Sequence, residues 1–314
     1  MKDKEKNFIS AICYVRNNEK NIDSFLEILV GFLQKSFEKY EIICVDDASE
    51  DGSIAAIKNF AQKQHNIILT VLRMGYFHGV ELSMNAGNDL AIGDFVYEFD
   101  SCICDYDVDI MESVYHKALE GNDIVAAVPD KQSKRSSRIF YAVFKSLSEQ
   151  KMELQTERFR ILSRRAINRI HMMNDKIPYR KVVYLNCGLQ MGKIIYSRKP
   201  VRGKEGKRDD MSGYRINLAV DSLILFTQAG YKLSIRMTLG MILLTVICAV
   251  YAAGIFLSGK AITGWTTTML FLSLSFGILF GILTIIVKYL SILVDLVFRK
   301  KNYIFENIEK ISKE

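Results

Sequence analysis

The sequence predicts a doubly wound, mostly parallel α/β sheet followed by a two-helix membrane hairpin. Strand-like apolar runs alternate with amphipathic segments through the first hundred residues, and charge is absent from two long stretches in the C-terminal third. Strands that alternate with helices are typical of parallel sheets with helices on both faces. The runs that we interpret as strands are residues 8–15, 41–45, 66–72 and 94–99.

The segments between these strands have the spacing of amphipathic helices. In residues 21–37, apolar side chains recur at intervals of three and four, which places them on one helical face. The next two predicted helices are residues 53–63 and 80–91.

The C-terminal third contains two stretches without a charged residue, 237–257 and 266–287. A helix of about 20 residues crosses the hydrocarbon core of a bilayer, so each stretch predicts a transmembrane helix. Arg236 precedes the first stretch and Lys288 follows the second, and the positive-inside rule then places both ends in the cytosol. We expect an integral membrane protein with a cytosolic N-terminal domain, and a bacterial inner membrane is the favoured location.

These patterns divide the chain into four predicted regions. They are a cytosolic α/β domain (1–213), an interfacial amphipathic helix (214–235), the two transmembrane helices (236–287), and a juxtamembrane helix with a basic cytosolic tail (288–314). The net charge is +7, and much of this excess flanks the predicted membrane helices, so we expect no nucleic-acid partner. Gly254, Gly277 and Gly281 permit close helix packing, which leaves a homo-oligomer open.

Polar residues follow three of the predicted strands. Asp46 and Asp47 end the second strand, Asp100 ends the fourth, and Asn17 and Glu19 follow the first. The carboxyl ends of parallel strands share one edge of the sheet, where ligands of such folds bind. Two adjacent carboxylates repel each other, so a chain that keeps them needs a solvated turn or a donor group against them. We therefore expect a binding site at this edge.

Five motifs resemble one family in their order and spacing. They are ISAICYVRNNEKNI (9–22), IICVDDASEDGS (42–53), GVELSMNAGNDLAIGDFVYEFD (79–100), FRILSRRAI (159–167) and RKPVRGKEGKRDDMSGYRINLAVD (198–221). With the predicted hairpin, the chain resembles the family-2 glycosyltransferases of the Rossmann-like GT-A fold, and more narrowly the polyprenyl-phosphate glycosyltransferases. The resemblance implies inverting transfer of a sugar from a nucleotide-diphosphate sugar, of UDP or GDP, to a membrane polyprenyl phosphate on the cytosolic face.

The resemblance also implies which residues bind the nucleotide. Asp46 and Asp47 would hold the nucleoside, Asn17 and Glu19 would line the same pocket, and Arg73 would lie near a phosphate. A carboxylate that accepts N–H groups of a base forms a charge-assisted hydrogen bond, which is the strong kind.

Three arginines match family positions near the acceptor phosphate: Arg160, Arg198 and Arg202. Arginine has a planar fork that suits phosphate oxygens. The acceptor phosphate is already anionic, so catalysis would depend on positioning and charge neutralisation. The resemblance implies Asp100, Arg198 and Arg202 as the catalytic residues. The alternative interpretation of these arginines is a basic patch against lipid headgroups.

The family pattern further implies Mg²⁺ or Mn²⁺ bound by an Asp-x-Asp pair, and this chain departs from that pattern. Asp100 keeps the first position, but Cys102 replaces the second aspartate and is a poor ligand for a hard cation. Three interpretations stay open: Asp100 binds the metal together with water and diphosphate oxygens, Asp105 or Asp107 substitutes, or metal binding is lost. The alternative function is a catalytically impaired glycosyltransferase that acts as a membrane-tethered binding or scaffold subunit.

Overall fold

The computed structural model describes residues 3–64, 67–130, 156–173, 179–199, 264–298 and 303–312, with single residues at 142, 236, 240, 243 and 247. The chain forms two compact units. The first comprises Met1–Lys145, Met152–Leu218 and Lys301–Glu314, and the second comprises Ser146–Lys151 and Ala219–Lys300.

Within the described residues, the first unit is built on one mixed sheet with the strand order β7-β5-β6-β4-β1-β2-β3-β8. The strands are β1 (Ile9–Val15), β2 (Tyr40–Asp46), β3 (Ile68–Met74), β4 (Phe95–Phe99), β5 (Ile124–Pro129), β6 (Phe159–Ser163), β7 (Met191–Tyr196) and β8 (Phe305–Ser312). Strands β1 to β4 pair in parallel and β5 pairs in parallel with β7, whereas β6 and β8 are antiparallel to their neighbours. The mostly parallel sheet is confirmed.

Helices cover both faces of this sheet. They are α1 (Glu19–Ser36), α2 (Ser53–Lys63), α3 (Val80–Leu90), α4 (Val108–Leu119), α5 (Arg164–Met173) and α6 (Arg180–Asn186). Alternate residues of β1, from Ile9 to Val15, join one buried cluster with apolar residues of α1, α2 and α4. Ile12 points to the other face, where it meets α3 at Gly87. The three predicted N-terminal helices are therefore confirmed as a doubly wound arrangement.

The C-terminal predictions have different outcomes. The first predicted span (237–257) and the interfacial helix (214–235) lie outside the described residues, apart from Gly240, Leu243 and Ile247. The second span (266–287) falls within α7 (Gly264–Phe298), a helix of the second unit. In the part of the chain that the structure describes, no helix is found that is both long and apolar enough to cross a membrane, so the hairpin is not confirmed.

The last residues of the predicted basic tail form a strand. Residues Phe305–Ser312 form β8, which pairs with β3 from Met74 to Ile68. An edge strand exposes unpaired N–H and C=O groups, and a further strand satisfies them. The C-terminal segment is therefore part of the sheet.

Gly87 lets α3 approach the sheet closely, and its replacement tests that packing. An added Cβ would lie 2.5 Å from Ile12 Cγ2 and 2.9 Å from Val45 Cγ2, whereas a Cβ at Gly31 in α1 meets nothing within 4 Å. We expect Gly31→Ala to raise the free energy of unfolding by about 1 kcal/mol through helix propensity. Gly87→Ala should lower it by about 2 kcal/mol through overpacking. Denaturation midpoints measure both, and equal midpoints would contradict the close packing.

Candidate active site

The loops that follow β1 and β2 are joined by hydrogen bonds at the carboxyl edge of the sheet. Asn17 Oδ1 accepts the Glu50 N–H (2.9 Å), and the Asn17 N–H donates to Ser49 Oγ (3.0 Å). Glu19 Oε2 accepts the Gly52 N–H before α2 (3.2 Å). Asn17 has a φ of 49°, a left-handed conformation that asparagine tolerates better than most residues. Asn17 and Glu19 therefore shape the edge where the nucleotide was predicted.

The carboxylate of Asp47 is buried and fully engaged within the fold. Oδ1 accepts the His78 N–H (2.7 Å), and Oδ2 accepts the Gly79 N–H and the Tyr14 hydroxyl (2.8 Å each). The two N–H groups lie at the start of α3, where backbone donors have no helical partner. These contacts correct the predicted role of Asp47, because its carboxylate fixes the loops around the site and has no oxygen turned to a ligand.

Asp46 differs from its neighbour, because one of its oxygens lacks a partner among the described residues. The side chain is buried, Oδ2 accepts the Ser49 N–H (3.3 Å), and no described residue donates a hydrogen bond to Oδ1. Burial raises the pKa of Asp46, and the contacts with Ser49 and the charge of Arg73 only partly oppose this. A buried acceptor without a donor costs free energy, so a ligand N–H is a fitting partner for Oδ1.

Arg73 lies beside Asp46 in the register of β2 and β3. Its Nε is 3.1 Å from Glu306 Oε2 on β8, and both side chains are about half exposed. An exposed ion pair contributes at most about 1 kcal/mol, so a phosphate could displace Glu306. The phosphate role of Arg73 therefore stays a prediction.

Asp100 is held by two buried arginines. Arg160 Nη2 donates to Oδ2 (2.8 Å), and Arg180 Nη2 donates to Oδ1 (2.7 Å). Burial alone would raise the pKa of Asp100, but the charges of Arg160 and Arg180 hold it well below its usual range. The stability that the ionised group contributes is therefore complete well above the pKa of an unfolded aspartate, about 3.9, and is lost progressively as the pH falls below that value.

Two buried glutamates that the sequence pattern did not single out complete this ion-pair cluster. Glu98 Oε2 accepts from Arg180 Nη1 (2.8 Å), and Oε1 accepts from the Tyr184 hydroxyl (2.7 Å) and Asn88 Nδ2 (2.5 Å). Glu81 Oε2 accepts both the backbone N–H and the Nε–H of Arg180 (3.0 Å each). The available signal was Glu98 itself, since a charge inside an apolar strand needs buried partners.

Arg160 is only 1% exposed and lies opposite Glu98 in the β4–β6 pair. Its Nε is 3.0 Å from Glu157 Oε2, and its Nη1 is 3.2 Å from Glu98 Oε2. The guanidinium is thus surrounded by acids of the protein. Arg160 thus anchors Asp100, and its predicted contact with the acceptor phosphate stays a prediction.

Cys102, at the second position of the degenerate metal motif, points into the core. Its side chain is 1% exposed, and its thiol lies 3.3 Å from the Tyr14 carbonyl oxygen. Burial raises the pKa of Cys102 well above the usual value, which keeps the thiol protonated. Cys102 is therefore a packing residue.

The two acids proposed as substitutes in the metal motif are also engaged. Asp105 is buried and accepts Arg158 Nε (2.9 Å) and the Tyr196 hydroxyl (2.9 Å), and Asp107 accepts from Lys199 Nζ. Among the described residues, no group of three or more His, Cys, Asp and Glu side chains has the arrangement of a metal site. The described residues therefore do not form the Asp-x-Asp site for Mg²⁺ or Mn²⁺ that the resemblance implied.

Arg198 follows β7 and is the more exposed of the two arginines that contact Asp105. Its side chain is 31% exposed, and its Nε is 3.7 Å from Asp105 Oδ2, whereas the Arg158 side chain is 19% exposed. A phosphate in solution can therefore approach Arg198. Arg202 lies outside the described residues.

Asp46 and Asp100, the two acidic positions of the predicted site, lie near each other on neighbouring parts of the sheet edge. Strands β2 and β4 both border β1, where Asp46 pairs with Val15 and Phe99 pairs with Cys13. Neighbouring strands are about 4.8 Å apart, so the backbones at Asp46 and Asp100 are separated by roughly 10 Å. The structure thus places both at one edge, as predicted.

The fold and this edge agree with one family of enzymes. Residues 10–176, more than half of the chain, match the family model described as Glycosyl transferase family 2. The chain belongs to glycosyl transferase family 2. As a member of this family, it is a glycosyltransferase.

Individual relatives of this glycosyltransferase are distant in sequence. An uncharacterized glycosyltransferase of Synechocystis is 25% identical over 198 residues, and the match spans 61% of each protein. A prophage bactoprenol glucosyl transferase homolog of Escherichia coli is 23% identical over 272 residues, 83% of this chain and 86% of the relative. The name of the second relative agrees with the resemblance to the polyprenyl-phosphate group.

A solved structure supports the fold of this glycosyltransferase. A mannosyltransferase from Pyrobaculum calidifontis, in complex with GDP-Man and Mn²⁺, superposes with a TM-score of 0.50 at 16% identity. The match covers 70% of this chain and 63% of the mannosyltransferase. The mixed sheet is therefore GT-A-like.

Replacing Glu98 tests the buried ion-pair cluster. Glu98→Gln keeps the shape of the side chain but leaves Arg180 short of a buried counter-charge, so we expect a loss of about 3 kcal/mol in the free energy of unfolding. Glu112→Gln is the matched control, because Glu112 is 39% exposed and pairs with His116 on the surface of α4. That change should cost less than about 1 kcal/mol. Equal losses in chemical denaturation would contradict the cluster.

Proposed function

We propose that the chain transfers a sugar from a nucleoside diphosphate sugar to a polyprenyl phosphate at the cytosolic face of a membrane, with inversion at the anomeric carbon. The observation that carries the donor half of this proposal is the unpartnered, buried Oδ1 of Asp46 at the carboxyl edge of the sheet. The acceptor half draws on the similarity to a bactoprenol glucosyl transferase homolog.

The donor nucleoside would bind against Asp46. Its Oδ1 can accept the imide N–H of uracil or the N–H groups of guanine, which supplies the missing donor. Asp47, Asn17 and Glu19 hold the surrounding turns through the contacts described above. Uracil and guanine both satisfy this requirement, so the proposal covers UDP and GDP sugars.

The acceptor would reach the site from a membrane surface. In this proposal, the chain associates with the membrane through its C-terminal third, and the basic residues that flank the uncharged stretches 237–257 and 266–287 face the cytosol. Arg198, exposed after β7, would attract the acceptor phosphate to the edge that carries Asp100.

The transfer is a direct displacement. An oxygen of the acceptor phosphate attacks the anomeric carbon and forms the new C–O bond, while the C–O bond to the nucleoside diphosphate breaks and its electron pair leaves with the diphosphate. The acceptor phosphate is anionic at neutral pH, so no side chain has to remove a proton. Asp100, with its depressed pKa, then contributes a fixed negative charge and takes no part in proton transfer. We route no step through a divalent cation, because Asp100 and Asp105 are engaged by largely buried arginines.

Asp46→Asn tests the donor site. Asparagine presents an N–H₂ group as well as an oxygen, so we expect UDP or GDP affinity to fall between about tenfold and 100-fold, as for a charged hydrogen bond. Stability should not fall, because the raised pKa of Asp46 means that its ionised form is disfavoured in the fold. Calorimetric titration and thermal unfolding measure the two effects, with Asp23→Asn on the exposed surface of α1 as control.

The same pKa shift predicts a pH dependence of donor binding. Because the pKa of Asp46 is raised, protonation and loss of nucleotide affinity should begin at a higher pH than for an ordinary aspartate of pKa about 3.9. Titrations across the acidic range would show this loss in the wild type and not in Asp46→Asn. A wild-type affinity that does not change with pH would contradict the role of Asp46.

Arg198→Ala tests the acceptor side. We expect the rate of radiolabelled sugar transfer to polyprenyl phosphate to fall by at least about tenfold, because a charge-assisted phosphate contact is lost. Arg165→Ala is the matched control: Arg165 is 69% exposed and pairs with Asp123 at the opposite edge of the sheet. Wild-type protein that binds nucleotide but transfers no sugar from any UDP or GDP donor would overturn the reaction and favour a binding subunit.

A further inference from the structure

The chain returns to the catalytic sheet after α7 and contacts the loop between β3 and α3. The Ile304 carbonyl oxygen accepts the Gly75 N–H (2.8 Å), and the Ile304 N–H donates to His78 Nε2 (3.1 Å). Directly after Ile304, β8 pairs along the edge of β3. Ile304, directly before β8, thus contacts both ends of the loop formed by residues 75–79.

The imidazole of His78 has a defined role in this contact. Nε2 accepts a hydrogen bond, so the ring proton is on Nδ1, which lies 2.5 Å from the Tyr76 carbonyl oxygen. The ring stacks on Tyr76 with a centroid separation of 4.0 Å, and the residue is 7% exposed. His78 therefore bridges the loop and the C-terminal segment.

The backbone of the same residue contacts the donor site. The N–H groups of His78 and Gly79 donate to the two oxygens of Asp47 (2.7 and 2.8 Å). Gly79 has a φ of 85°, a conformation that favours glycine and turns both N–H groups toward one carboxylate. Asp47 directly follows Asp46, whose Oδ1 is unpartnered. A continuous series of contacts thus runs from Ile304 through His78 and Asp47 to Asp46.

A second contact joins β8 to the same region. Glu306 pairs with Arg73, and Arg73 lies beside Asp46 in the β2–β3 register. The other end of β8 is remote from the site: Glu309 pairs with Lys58 on α2 (2.6 Å). The influence of β8 on the donor site is therefore concentrated at its first residues.

We propose that His78 is a positioning residue for donor binding, through which the C-terminal strand holds loop 75–79 and orients Asp46. This inference rests on the proposed function, because it takes Asp46 as the group that meets the nucleoside. His78 touches neither substrate, and it acts through Asp47. The C-terminal strand is then required for donor affinity, although it contributes no residue that contacts the donor.

Variants of His78 separate this role from a general effect on folding. His78→Ala removes the acceptor for the Ile304 N–H, whereas the side-chain oxygen of glutamine in His78→Gln can replace Nε2. We expect the Kd for UDP or GDP, and the donor KM, to rise about fivefold in His78→Ala, as for one lost hydrogen bond. Both should stay within about twofold of wild type in His78→Gln, and kcat at saturating donor should be unchanged in both variants.

Hydrogen exchange of the unliganded protein tests the coupling without reference to nucleotide. The amides of residues 75–79 should exchange faster in His78→Ala than in wild type and should be restored in His78→Gln. Lys58→Met is the matched control, since it removes the remote contact of β8 with Glu309 and should change neither the exchange of this loop nor the donor KM.

The inference is overturned if His78→Ala leaves the donor KM and the loop exchange unchanged, if His78→Gln fails to restore them, or if Lys58→Met has the same effect. Failure of the proposed function has a different signature. Wild-type protein would then bind neither UDP nor GDP, and the exchange of residues 75–79 would still decide whether His78 couples the strand to the loop.

Discussion

The buried carboxylate of Asp47 is the contact on which the candidate site depends. It joins the end of β1, through the Tyr14 hydroxyl, to the start of α3, through the N–H groups of His78 and Gly79. Removing it would leave two buried N–H groups without acceptors. Adjacent carboxylates repel each other, and here their environments differ. Asp47 receives its hydrogen-bond donors from the protein, and Asp46 keeps one oxygen for a ligand. In this account, Asp47 has a structural role and Asp46 has a binding role.

A second set of buried charges fixes the other side of the edge. Asp100 is held by Arg160 and Arg180, which are in turn surrounded by glutamates. Cys102, the departure from the family's metal motif, is held at this point by Tyr14. The Tyr14 side chain reaches Asp47 while its carbonyl oxygen faces the Cys102 thiol, so Tyr14 contacts both residues. Similarly, Arg158 is the bidentate partner of Asp105. The residues of the altered metal motif are thus held by contacts with other residues of the fold.

The sequence predicted the N-terminal βα units well because their signals are local. The spacing of apolar residues in α1 and α2, and the polar residues after each strand, depend on neighbours in the chain. Contacts between distant segments were not accessible in this way. Arg160 lies in a basic stretch that suggested an exposed phosphate ligand, and only the pairing of β6 with β4 shows that Glu98 neutralises it. Residues 305–312 resembled a polar tail, because the pattern of an edge strand is weak without its partner β3.

A crystal structure of the chain with a bound UDP or GDP sugar tests the central claim most directly. The account predicts a base N–H within about 3 Å of Asp46 Oδ1, with the hydrogen bonds of Asp47 to His78 and Gly79 unchanged. A nucleotide bound at another part of the sheet, with Asp46 Oδ1 still lacking a donor, would contradict it.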